Sequence, residues 1–196
     1  MAIALDINLL FNKMLNSDIV SKLLNQYSVS IESISSIDNW MWENEKKIDS
    51  FKQFETILDA RHIAVIKLKR PLVKDMGIFI EKMENHYLYE VWINTEGFPM
   101  LDCDKITLDN HEFYKDLLQA ILEANKTIDI PFEVIGIGLE TDIHYNGNIM
   151  DTIENSKDVI LWIINKHIEL TKELKLYKIR EGKGVYILEK SNGQGE

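Results

Sequence analysis

The side chains best spaced for chemistry are Glu140, Asp142 and His144, which fall on every second position of the stretch PFEVIGIGLETDIHY from Pro131 to Tyr145. Side chains two apart on a strand share a face, with Cβ atoms about 6.5 to 7 Å apart. A carboxylate beside an imidazole can orient it as a general base or join it in holding a metal. Gly136 and Gly138 precede them on the same face and leave room there for a ligand or an approaching helix. Ile135, Ile137, Leu139 and Ile143 take the opposite, core-building face. A half-solvated strand end in an acidic protein carries the same pattern, so catalysis depends on whether that face is open.

Other chemistry finds little support. His62, His86, His111, His144 and His167 are scattered without HxxxH or HExxH spacing, and Cys103 alone cannot build a structural zinc site. No metal and no cofactor are therefore expected. Asp102 and Asp104 flank Cys103 and disfavour its thiolate, so it reads as incidental or buried. His111 opens a helix, where the dipole disfavours its cation and a capping or surface role is expected. The GIG at Gly136 to Gly138 lacks the third glycine and the strand-to-helix turn of a dinucleotide site.

The elements that would position these residues follow from periodicity. Residues 3 to 27 show Ile3, Ile7, Leu10, Phe11 and Leu15 at helical spacing, then a restart at Ser17 or Asp18, which predicts two short helices or one broken helix. Val29 to Ile37 reads as a short edge strand or a loop. Trp40 and Trp42 lie two apart and are expected to plug the core. Ser50 with Gln53 is a capping-box pattern for a helix to about Ala60. Strands are expected at His62–Lys69, Gly77–Met83 and Tyr87–Asn94, the last two joined as a hairpin through Glu84, Asn85 and His86. Lys67, Lys69, Arg70 and Lys74 make a basic cluster around Pro71 that reads as a solvated edge or loop.

Gly97 and Pro99 mark a turn, with a short strand possible at Met100–Leu101. Asp109 with Glu112 predicts a helix over about Asn110 to Asn125. A long helix is expected from Asn155 or Ser156 to about Leu174, and a hairpin from LYKIREGKGVYILEK. Ser191 onward, SNGQGE, is expected to be disordered. Without repeats or a Pro-rich linker, residues 1–190 read as one domain. The expected fold is α+β, a mostly antiparallel sheet of about five to seven strands with helices packed mainly on one face.

Charge narrows the partners. The 196 residues carry a formal charge of −10, and between Glu84 and Asp158 there are 16 acids against Lys105, Lys115, Lys126 and Lys157. Such a field repels nucleic acid and anionic membranes and steers basic proteins toward the chain. No apolar run is long enough for a membrane span, and the N-terminal stretch lacks a basic region and cleavage site, so a cytoplasmic location is expected. Glu84, Glu90, Glu96, Asp102 and Asp104 surround Trp92 in the sequence and are the expected partner-binding set, although Tyr87, Tyr89 and their strand neighbours also suit a core.

In its size, acidity, single-domain plan and lack of catalytic motifs the chain resembles bacterial immunity proteins, which are paired with polymorphic or contact-dependent toxins. That resemblance implies a non-enzymatic cytoplasmic inhibitor that binds a basic cognate toxin such as a nuclease. The alternative from a different class is a small hydrolase or ligand-binding enzyme using Glu140, Asp142 and His144.

Overall fold

The computed structural model describes residues 3–128, 130–141, 143, 145–171 and 174–191. Along the chain run β1 (Ala4–Phe11), α1 (Ser17–Gln26), β2 (Ser30–Ile37), β3 (Lys46–Lys47), α2 (Phe54–Asp59), β4 (Ile63–Arg70), β5 (Val73–Met83), β6 (His86–Asn94), α3 (His111–Asn125), β7 (Phe132–Leu139), α4 (Ile149–Asn155), β8 (Val159–Asn165), β9 (Tyr177–Glu181) and β10 (Val185–Lys190). The ten strands form one antiparallel sheet in the order β3-β2-β4-β5-β6-β1-β7-β8-β10-β9.

The α+β class is as expected, but ten strands exceed the expected five to seven, partly because two segments read as helices are central strands. One is β1, which pairs with β6 on one side and β7 on the other. Its residues from Leu5 to Asn8 are all buried, together with Leu10 and Phe11. A strand covered on both faces loses its polar alternation, and its apolar residues can then mimic helical spacing. The other is β8, whose residues Val159 to Ile164 are buried without a break. The long helix expected from Asn155 or Ser156 to about Leu174 is not found there: its apolar run is β8, and α4 occupies the preceding Ile149–Asn155. Asn148 caps α4 by accepting from the N–H groups of Met150 (2.9 Å) and Asp151 (3.2 Å).

Smaller expectations divide. The restart at Ser17 is right, with Asn16 accepting from Asp18 N–H at 2.8 Å. The segment after it is a strand, β2. Ser50 makes no side-chain cap, and a 3-10 turn at Phe51–Gln53 leads into α2. The β5–β6 hairpin turns through Glu84 and Asn85, with Glu84 in the left-handed region at φ 51°. Met100–Leu101 lies in a 3-10 turn and not a strand. α3 forms where expected, but Asn110 folds its amide into the preceding loop and accepts from Thr107 N–H at 2.7 Å. The β9–β10 hairpin also forms as expected. Of the tail expected to be disordered from Ser191, Ser191 itself donates through its N–H (2.8 Å) and Oγ (2.9 Å) to Leu176 O, and Asn192 onward lies outside the described residues.

Two faces result. The first carries Leu5, Ile7, Phe11, Ile66, Ile78, Tyr89, Ile135 and Ile163, and its core takes in Val20 of α1, Phe54 and Leu58 of α2 and Tyr114 of α3. On the second, a separate core joins Leu10, Val134, Trp162, Ile164 and Leu188 to Ile143 and to Met150 and Ile153 of α4. That core lies over the β7, β8 and β10 half. At the β2, β4 and β5 end of the second face, only Ile37, Ile63, Val65 and the half-buried Phe79 cluster among the described residues.

Candidate functional site

Of the catalytic constellation expected at the end of β7, Glu140 is the member among the described residues. The strand ends at Leu139, and Glu140 turns the chain away with φ 46°. Asp142 and His144 lie outside the described residues. The space left by the glycines is filled by the protein itself. A Cβ on Gly136 would lie 2.7 Å from both Ile143 Cδ1 and the Trp162 ring, and one on Gly138 would lie 2.4 Å from Thr141 Cγ2.

What β7 faces across β1 is a polar pair hidden inside the misread N-terminal segment. Asp6 and Asn8 are 4% and 1% exposed. They stand opposite Trp92 and Glu90 of β6 and opposite Gly138 and Gly136 of β7. Thr141 N–H donates to Asp6 Oδ2 at 2.7 Å, and Asn8 Nδ2 donates to Thr141 Oγ1 at 2.9 Å. Burial pushes the Asp6 carboxyl up to about 7, with repulsion from Glu140 adding to the rise and the Thr141 N–H opposing it. Asn8 Oδ1 and Trp92 Nε1 are buried with no hydrogen-bond partner among the described residues. Each such orphan costs about 1–3 kcal/mol. The cluster pins the turn after β7 to β1 and holds a proton that exchanges near neutral pH.

From Trp92 an aromatic chain runs outward along the same face. Trp92 stacks on Phe79 (centroids 6.1 Å apart), for which Gly77 makes room: a Cβ there would meet the Trp92 ring at 2.8 Å. Phe79 in turn receives the edges of Trp40 at 5.1 Å and Trp42 at 5.7 Å. These tryptophans do not plug the core as expected. Trp40 is 49% exposed, Met41 81% and Trp42 39%.

The loop that carries them is held by its own polar bonds. Asn39 Nδ2 donates to Glu43 (2.7 Å), Met41 N–H to Asn39 Oδ1 (2.9 Å) and Asn44 Nδ2 to Asp38 (2.7 Å). His62 Nδ1 lies 3.0 Å from Asp38. The indole N–H of Trp40 donates to Glu81 (3.3 Å) and that of Trp42 to Glu45 (3.2 Å), which also accepts from Ser35 Oγ (2.8 Å). These bonds hold the Glu45 carboxyl below its ordinary range. Lys67, from the basic cluster, sits 5.7 Å from the Trp42 ring.

Of the six residues expected to bind a partner, only Glu90 and Trp92 belong to this surface. Glu84 is exposed in the turn before β6. Glu96 follows the other end of β6, in an ion pair with Lys74 (2.6 Å), and nearby Asp102 accepts from Thr95 Oγ1 (3.2 Å). Asp104 faces Lys190 at 3.8 Å. The nine residues of β6, about 30 Å long, separate Glu84 from Glu96. Sequence reasoning missed Asp6, Asn8 and Thr141 altogether, and it placed Trp40 and Trp42 inside.

A second titratable pair lies elsewhere, where His167 Nε2 meets the buried Glu133 at 2.6 Å and Asn12 Nδ2 donates to the same carboxylate at 3.0 Å. Cys103 accepts from Asn110 Nδ2 at 3.1 Å, and His111 is exposed beside Glu112. Among the described residues no group of three or more His, Cys, Asp or Glu side chains could hold a metal ion, and no helix is long and apolar enough to cross a membrane. No protein-family model matches the chain, and no curated protein or solved structure matches it at a significant level.

Proposed function

We propose that this protein is a non-catalytic binding module that captures a basic protein on the β4–β6 half of its second sheet face. The observation that carries the reading is the loop of Trp40, Met41 and Trp42, large apolar side chains held exposed by a lattice of polar bonds, with both tryptophans against Phe79, which stacks on Trp92. Tryptophan dominates binding hot spots, and a loop already ordered before binding loses little entropy on docking. Asp38, Glu43, Glu45, Glu81 and Glu90 surround the aromatics, with Lys67 among them. This rim supplies steering for a cationic partner, while the aromatic centre supplies affinity.

The finer form of the reading is a cytoplasmic immunity protein of a bacterial toxin pair, with a basic toxin such as a nuclease as the partner. It rests on the resemblance of overall plan and acidity. The test is capture from lysate of the source organism with the wild-type chain and with the Trp40→Ala/Trp42→Ala variant as parallel baits. The reading expects a basic protein held stoichiometrically by wild type, released by salt and lost from the variant. Equal capture by both baits would overturn the assignment of this surface.

A further inference from the structure

On the first face, between the sheet and the pair α1 and α3, lies a cavity of about 300 Å³. Its walls include Ile78 and Val91 from the sheet, Leu24 from α1, and Leu117 and Ile121 from α3. The two helices sit shallowly on the sheet, for α1 fully buries only Val20 and α3 only Tyr114. Protein interiors ordinarily close on themselves, so a hollow this large with apolar walls is suited to an apolar guest. A cavity of about half this volume holds benzene, which sets the capacity here at about ten to twelve carbon atoms.

Among the described residues Arg70 is the only charged one that lines the cavity. It is exposed at the end of β4, next to the turn at Pro71 and Leu72, and among the described residues no carboxylate pairs with it. Lys69 adjoins it, and Lys74 follows the turn in its ion pair with Glu96. The basic cluster of the sequence thus borders the cavity at Arg70. A guanidinium matches the planar fork of a carboxylate. Asn125 also lines the cavity, and its buried Oδ1 lacks a donor among the described residues.

We propose that this cavity binds a single-chain aliphatic carboxylate, with its tail between the sheet and the two helices and its head group on Arg70. The site is on the opposite face from the aromatic surface and does not depend on it. The test titrates the full chain with decanoate below its micelle concentration, by calorimetry and methyl NMR, beside decyltrimethylammonium as the cationic control. Decanoate should saturate one site, raise Tm and shift the methyl signals of Ile78 and Leu117. Arg70→Glu should weaken decanoate by about tenfold or more. Ala124→Leu, which adds volume at the cavity wall, should abolish binding, and Ala120→Leu replaces it if that variant fails to fold. No methyl shifts with decanoate, equal affinity for the cationic control, or an Arg70→Glu variant that binds like wild type would each overturn the proposal.

Discussion

The two halves of the second sheet face treat tryptophan in opposite ways. Over β7, β8 and β10, Trp162 is fully buried, because Gly136 opens a slot for its ring and Ile143 with α4 closes the top. Over β4, β5 and β6, Gly77 opens a similar slot for Trp92, but what lies above Phe79 is a short loop whose tryptophans stay partly in water. The sheet supplies the same device twice. Only the covered half uses it to build a core. The open half spends hydrogen bonds on holding apolar side chains outside, which is costly for stability and useful for recognition.

Substitutions that separate the halves should differ most in stability. Trp162→Ala should lose about 3–5 kcal/mol in denaturant unfolding. Trp40→Ala should change stability by less than about 1 kcal/mol. A large loss at Trp40 would mean that the open half is core after all.

The border between the halves is marked by Asp6, and its effect depends on pH. Its folded pKa lies near 7, above the 3.8 of an ordinary aspartate. Between those values the folded state binds more proton than the unfolded chain, so its stabilisation is full below about pH 4 and is lost as pH rises through 7. Asp6→Asn should therefore stabilise the protein by a few kcal/mol at pH 8 and flatten the profile of Tm between pH 4 and 7. An unchanged profile would show that Asp6 titrates normally.

A smaller effect concerns the slots. Gly136→Ala must displace Ile143 or Trp162 and should cost about 1–3 kcal/mol. Smaller still, Glu43→Gln, whose amide oxygen can still accept from Asn39, should slow partner association at low salt by up to about twofold and leave dissociation nearly unchanged. Stopped-flow mixing separates the two rates.

Legibility in the sequence followed solvent contact. The β5–β6 and β9–β10 hairpins and α3 were readable because each keeps one polar side and its punctuation. β1 and β8 were not, since burial on both faces erases the alternation that distinguishes strand from helix. For the candidate site, Glu90 and Trp92 were found through aromatic and acidic composition, whereas Asp6 and Asn8 gave no signal in a segment whose apolar residues fall at helical spacing. Trp40 and Trp42 were misplaced because residue type predicts burial only when some element is available to cover it. That depends on contacts far away in the chain, and here the covering elements, Ile143 and α4, went to the other half.

The most direct test of the central claim compares two variants against the captured partner. One is Trp40→Ala/Trp42→Ala, and the other neutralises the distant acids as Glu84→Gln/Glu96→Gln/Asp102→Asn/Asp104→Asn. Dissociation rates are measured for both by surface-immobilised binding. The tryptophan variant should dissociate at least about tenfold faster than wild type, and the acid variant at close to the wild-type rate. If instead the acid variant dissociates rapidly while the tryptophan variant holds on, binding lies at the ends of β6 and the open half of the second face is not the binding surface.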